Sequence, residues 1–320
     1  MTLLTLEFFL VVAGLYVAAM AVQVACDSTH PRRIGSTIFW GLLAGAFVMG
    51  KQLPPVVVGY AVLGMAVLAG MRQVAPPQRT VQPAGERAAE AVRLGNRLLW
   101  PVVLIPALVI AGGFALERVR LGEVRLVEPR QVTQVALGLA CLLGLGLAWR
   151  VTRAPPGLAL TEGSRLLQAI GWALVLPQLL ASLGGIFARA GVGDVIASFV
   201  GGALPTQLPL VAVIAYCAGM ALFTIVMGNA FAAFPVITLG IGLPFIVNQH
   251  GGNPAIMGAL GMLSGYCGTL VTPMAANFNL VPAILLELED KNAVIKAQAP
   301  MAAVIWIFNV TVMYLCVYRF

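Results

Sequence analysis

Charge is what this chain has least of. Only 10% of its 320 residues are Asp, Glu, Lys or Arg, against about 25% in a soluble globular domain. That deficit excludes a solvated fold. With 60% hydrophobic residues and a mean hydropathy of +0.95, it points to a polytopic membrane protein. The few charges lean basic, 19 Lys and Arg against 12 Asp and Glu. In a membrane protein such an excess reports topology and contact with anionic lipid, and no nucleic-acid-binding motif accompanies it. Cysteine is also scarce. Cys26, Cys141, Cys217, Cys267 and Cys316 are scattered, with no C-x-x-C and no Cys/His cluster, so neither a disulfide framework nor a zinc site is suggested and packing is the expected role.

Catalytic signatures are missing too. There is no H-E-x-x-H, G-x-S-x-G or Walker motif and no pair of carboxylates within the apolar runs. These absences argue against an enzyme and against an ATP-driven pump. Gly191-Val192-Gly193-Asp194 has the G-x-G-D spacing of intramembrane aspartyl proteases. That chemistry needs two carboxylates sharing a proton, and the other aspartates, Asp27 and Asp290, sit in charged loops. Asp194 is instead expected to cap a short helix from Val195 to Val200.

What is present is a series of long apolar runs. About eight spanning helices are expected, at 2–25, 34–50, 54–71, 98–116, 132–149, 166–188, 208–227 and 300–318, each near the ~20 residues that cross a bilayer. Shorter, broken pieces lie between 190 and 290. The first run has no basic segment before it, and Gln23 interrupts the apolar pattern ahead of Val24-Ala25-Cys26, so it reads as a retained helix and not a signal peptide. The polar loops are 72–97, 117–130 and 150–165. An N-terminus outside puts Arg32–Arg33, the 72–97 loop and the 150–165 loop in the cytoplasm, and the Arg-rich 117–130 loop outside. Glu86 to Leu99 reads either as an interfacial amphipathic helix or as a solvated loop. Function divides near residue 160: plain Leu/Val/Ala helices over 1–160 read as scaffold, and the polar, broken segments of 161–320 as a transport-like region. Gln178, mid-helix after Pro177, is expected to be helix–helix glue.

The polar breaks concentrate between Met227 and Pro282. Irregular backbone at membrane depth survives only inside protein or beside a water-filled cavity, and interrupted hydrophobic segments are the best sequence pointer to a transporter's binding site. Met227-Gly228-Asn229-Ala230 follows an apolar helix. Two readings of it stand: a turn whose Asn229 amide meets a cation or a carboxylate, and a helix terminus at the membrane surface. In Ser264 to Asn279, Pro273 frees an upstream carbonyl, and Gly268, Thr269, Thr272 and Asn277 surround it. Carbonyl, hydroxyl and amide oxygens are hard ligands that suit Na⁺, and the amides of a following half-helix suit a carboxylate. The expected binding set is therefore Gly228, Asn229, Ala230, Gly268, Thr269, Thr272, Pro273 and Asn277, with Na⁺ near Asn229, Thr272 and Asn277 and no organic cofactor. His250, between the two motifs, reads as a loop histidine, and Asn253-Pro254 as a helix start.

The order of these pieces resembles one repeat of the ion-transporter superfamily that includes dicarboxylate/sodium symporters. Its small-residue pattern is matched by Ser182-Leu183-Gly184-Gly185-Ile186, its hairpin tip by Met227-Gly228-Asn229-Ala230, where only the Asn of the family's triplet is present, and its unwound helix by Thr272-Pro273-Met274-Ala275-Ala276-Asn277. More closely, GNAFAAFPVITLGIGLPFIV, HGGNPAIMGALGMLSGYCGTLVTPMAANFN and ELEDKNAVIKAQAP resemble the bacterial inner-membrane family DUF979. The first resemblance implies an all-α half-transporter, ion-coupled, with the other repeat supplied by a second membrane subunit or a second copy. The second implies a small carboxylate, 5-oxoproline in particular, as substrate. The alternative is a non-transporting scaffold or assembly subunit of such a complex.

Overall fold

The computed structural model describes residues 2–77, 84–116, 118, 120–121 and 124–319. The chain is an all-α polytopic membrane protein. Among the described residues seven helices are long and apolar enough to cross a bilayer, and Arg33–Met49, Pro55–Gly70 and Val192–Ala203 are shorter apolar helices. Their outward faces carry large apolar side chains, such as Val102, Ile110 and Phe114 at 65%, 64% and 68% exposure. Apolar surface left open on this scale is what lipid covers. The chain forms two compact units, 1–171 and 172–320. Residue 160 lies within a helix of the first.

The first unit holds α1 (Leu6–Cys26), α2 (Arg33–Met49), α3 (Pro55–Gly70), α4 (Ala84–Leu94), α5 (Leu99–Leu116), α6 (Val132–Thr152) and α7 (Pro156–Ile170). Small residues set the closest approaches. A Cβ on Gly14 of α1 would lie 2.6 Å from Val48 of α2, and one on Gly112 of α5 would lie 2.9 Å from Ala136 of α6. Such contacts drive helix association where lipid removes the hydrophobic advantage. Two further links join the end of α1 where the chain begins to other connections. Lys51 pairs with Glu7. Strand β1 (Thr2–Leu4) pairs in parallel with β3 (Val124–Val127), which pairs antiparallel with β2 (Arg120–Leu121). This small sheet was not expected. It fixes Val124–Val127 beside the start of α1, over a core of Val127, Val132 and Val135. The amphipathic segment Glu86–Leu99 is helical through Leu94 and then tightens into a 3-10 turn, Gly95–Leu98. Residues 78–83 of the 72–97 loop and 117, 119 and 122–123 of the 117–130 loop lie outside the described residues.

The second unit holds α8 (Leu176–Arg189), α9 (Val192–Ala203), α10 (Pro209–Met227), α11 (Ala230–Ile237), α12 (Pro254–Leu270), α13 (Leu280–Leu285) and α14 (Ala293–Cys316). Several expectations change here. The 166–188 helix is interrupted: Gly171 adopts φ +58°, a 3-10 turn covers Gly171–Leu174, and α8 starts with Pro177 in its first turn. Asp194 does not cap a helix at Val195. Gly191, in the left-handed conformation, caps α9, and Asp194 sits in its first turn, where a carboxylate still favours the helix dipole. The last helix starts at Ala293 and carries Pro300 inside it. Its entry is anchored by Asp290, whose carboxylate accepts from Asn292 N and Lys296 Nζ, both at 2.8 Å. Those bonds hold the Asp290 carboxyl below the usual range.

Ala230–Asn248 forms an apolar arm of 19 residues, long enough to span. Pro235 and Pro244 each remove an N–H from it. The chain absorbs Pro244 by widening into an 11-residue π-helical stretch, Thr238–Asn248, a form concentrated at functional sites. The arm folds back along α10. Glycines make the fit: Cβ atoms on Gly219 and Gly242 would lie 2.9 Å from Ile241 and 2.6 Å from Met257, and Tyr216 donates or accepts across to Thr238 at 3.0 Å. α12 then packs on α10 through Gly261, Gly265 and Gly268; a Cβ on Gly268 would lie 2.3 Å from the Ala221 carbonyl oxygen. Asn253 and Pro254 open α12 as the sequence predicts, with Asn253 Oδ1 accepting from Ala255 N at 2.9 Å. The first prediction follows from this packing. Gly268→Leu should lower the detergent-solubilised protein's unfolding midpoint by the equivalent of about 1–3 kcal/mol, the usual range for overpacking. An unchanged midpoint in a thermal unfolding scan would refute the close α10–α12 approach.

Candidate functional site

The two motifs singled out in the sequence meet. α10 ends at Met227, and Gly228 reverses the chain at φ +69°. Its N–H donates to Thr224 O at 2.6 Å, closing the helix as a left-handed cap does. Asn229 is half-buried and caps α11, its Oδ1 accepting from Phe231 N at 2.9 Å. Ala230 is buried at the start of α11, 3.1 Å from where a Cβ on Gly265 would stand. Across from this tip, α12 ends at Leu270 and residues 271–279 run without regular helix. A Cβ on Gly228 would lie 2.5 Å from both C and O of Met274. The two breaks therefore touch backbone to backbone, at a place only glycine permits.

Hydrogen bonds tie them further. Thr272 is buried; its Oγ1 donates to Ile225 O at 2.8 Å and accepts from Met274 N at 3.2 Å. Thr269, also buried, donates Oγ1 to Tyr266 O at 2.6 Å. Gly268 lies inside the α10–α12 seam. Thus Gly228, Ala230, Gly268, Thr269 and Thr272 come together. Pro273 and Asn277 do not: both are exposed.

The buried amide of the break is Asn279, 1% exposed. Its Nδ2 donates to Thr269 O at 2.8 Å and Thr272 O at 2.7 Å, taking up carbonyls left open where α12 stops and Pro273 supplies no donor. Its Oδ1 is buried with no hydrogen-bond partner among the described residues, as is Thr224 Oγ1. Thr224 lies one turn before Gly228 and faces α12: its Cβ would lie 3.0 Å from a Cβ on Gly268. Two uncompensated oxygens beside a helix break are costly and are the chemistry a desolvated Na⁺ would take. The expected trio is differently engaged, since Asn229 Oδ1 and Thr272 Oγ1 already accept backbone N–H bonds and Asn277 faces outward.

Three other residues have plain structural places. His250 Nε2 donates to Thr206 O at 2.8 Å, clasping two connections at the opposite end of α10. Gln178 is exposed on α8. Gly184 of α8 meets the α11 backbone, a Cβ there falling 2.6 Å from Ala232 O.

Fold and site define a multi-pass, all-helical membrane protein whose second unit packs two helix breaks against each other. The chain belongs to the family described as protein of unknown function (DUF979), which matches residues 7–318. No curated protein and no solved structure matches it.

The geometry separates two asparagines. Asn279→Ala should leave two helix-end carbonyls open and destabilise the protein by about 1–3 kcal/mol, whereas Asn277→Ala should leave the unfolding midpoint unchanged. Equal effects in parallel thermal scans would contradict this assignment.

Proposed function

We propose that this chain is one subunit of a secondary transporter in the bacterial inner membrane, moving a small carboxylate with Na⁺ as the coupling ion. 5-Oxoproline is the favoured substrate, on the resemblance set out above, and the chain is not an enzyme. The observation that carries the reading is the backbone contact of Gly228 with Met274, which joins two helix breaks beside two buried, unbonded oxygens, Asn279 Oδ1 and Thr224 Oγ1. Those oxygens are the proposed Na⁺ ligands. The first turn of α11 offers amide N–H groups and the positive end of a helix dipole to the carboxylate. Transporters of this kind use two such sets of breaks around one site, so a second membrane subunit, or a second copy, is proposed to supply the other.

A second reading, a non-transporting assembly subunit, is favoured by the exposure of Met274 and Phe278, 42% and 37%, which suit a partner's surface. Uptake separates the two. Labelled 5-oxoproline should enter proteoliposomes in a sodium-dependent manner when the chain is reconstituted with its partner subunit, and Asn279→Leu should abolish uptake while the complex still assembles. Full uptake in that variant, or none with the wild-type complex, would overturn the transport reading.

We also propose that the N-terminus faces outside. The sheet holds β3 beside the start of α1, which leaves Arg32, Arg33, Arg72, Arg97, Arg150 and Arg153 at the opposite ends of the helices, the more basic and hence cytoplasmic side. In a cysteine-free background, an impermeant maleimide should label Gln52→Cys in intact cells and Ser28→Cys only after lysis. The reverse pattern would invert the topology.

A further inference from the structure

The start of α5 and the end of α6 meet at one corner of the first unit. Gly112 of α5 faces Ala136 of α6, and a Cβ on Gly144 of α6 would lie 3.0 Å from Ile105 and 3.5 Å from the Pro101 carbonyl oxygen. The two helices therefore run antiparallel. The 3-10 turn Gly95–Leu98, just ahead of α5, also packs on α6. The register set by these contacts puts Trp100 opposite the turn that holds Trp149, and Arg97 opposite the turn that holds Arg150.

The tryptophans mark a depth. Trp100 and Trp149 are 65% and 55% exposed, one in the first turn of an apolar spanning helix and one in the last turn of another. Tryptophans so placed sit at the headgroup level of a bilayer, with an apolar ring and a polar N–H. Trp149 is held there by its own loop, since Nε1 donates to Ala154 O at 2.7 Å. Its polar edge is thus satisfied by protein, and the open part of its ring is apolar.

Three cations share the corner. Arg97, Arg150 and Arg153 are exposed, and among the described residues none of their guanidinium groups holds an ion pair. Glu90 of α4 pairs with Arg93 at 3.3 Å. Arg150 lies in the last turn of α6, where the helix dipole favours a cation. The dipole gives no reason for Arg153. That residue caps α6 in the left-handed conformation, φ +55°, its N–H donating to Trp149 O at 2.8 Å. Glycine is the unstrained residue at such a cap, so an arginine there is kept at a cost that a use for its side chain offsets. Guanidinium forks suit phosphate oxygens. At the depth the tryptophans mark, the phosphates available are those of lipid.

We propose that this corner binds an anionic phospholipid, its phosphate on Arg97, Arg150 and Arg153 and its first acyl carbons against Trp100 and Trp149. The site depends neither on the transport reading nor on the orientation of the chain. The test is a thermal-shift titration of the purified full chain, in an uncharged detergent, with phosphatidylglycerol, phosphatidylcholine and inorganic phosphate, each alone. Phosphatidylglycerol should raise the unfolding midpoint in a saturable manner, as a native-state ligand does. Phosphatidylcholine, whose choline neutralises its phosphate, should not, and neither should inorganic phosphate, which has no acyl chains to rest on the tryptophans. Arg150→Gln should move the phosphatidylglycerol titration to about tenfold higher concentration, a change of about 1.4 kcal/mol. Arg153→Gly should weaken the lipid response as much while leaving the lipid-free midpoint no lower, because glycine relieves the left-handed backbone. Arg130→Gln, which removes the same charge at the other end of α6, should leave the titration unchanged. An equal shift with phosphatidylcholine or inorganic phosphate, a titration unaltered in both corner variants, or an equal loss in Arg130→Gln would overturn the proposal.

Discussion

The second unit depends on one contact, the Gly228 backbone against the Met274 backbone. Lipid offers no hydrogen bonds, so a chain break at membrane depth must be satisfied by protein. Here each break answers the other. Thr272 covers the Ile225 carbonyl in the last turn of α10, and Asn279 covers the carbonyls of Thr269 and Thr272. A side chain at Gly228 would collide with Met274 and strain φ at once. The glycine face of α12 brings the α10 and α12 ends close enough for these bonds to form. The two oxygens left over are then a consequence of the arrangement: the groups that close the backbone are used up, and Asn279 Oδ1 and Thr224 Oγ1 remain.

The two units meet the membrane's demand differently. In the first, polar links among the described residues include the small sheet, the Lys51–Glu7 pair and the hydrogen bonds from His30 to Gln168 and from Gln168 to Ser164. In the second, polar groups and helix breaks lie between apolar helices, and a π-helical stretch carries one prolyl interruption. The second sets two helix ends side by side within the packed helices, each closed by groups of the other.

Much of this was legible in the sequence. The apolar runs that became α1, α5, α6 and α10 were clear because uncharged residues continue for the length of a bilayer. Gly228 marked a break because glycine alone adopts a left-handed turn without strain, and Pro273 because it has no N–H to continue a helix. Other features had no local signal. The sequence showed only broken pieces here, and the continuity of Ala230–Asn248 appeared only with the π-helical register that accommodates Pro244 and the glycine contacts that seat it. β1 is three residues long and pairs with residues more than a hundred positions away. His30 and Gln168 are separated by 138 positions, so no spacing argument links them. Asn277 and Asn279 were indistinguishable because residues 271–279 follow neither helix nor strand period, and only burial tells which side chain turns inward.

The central claim is that the two breaks form one responsive site. Hydrogen–deuterium exchange of the complex in nanodiscs, with and without sodium and 5-oxoproline, tests it most directly. The account predicts slowed exchange in 228–231 and 271–279 together, lost in both when Asn279 is replaced by Leu. Protection of one segment without the other, or ligand binding that alters neither, would contradict it.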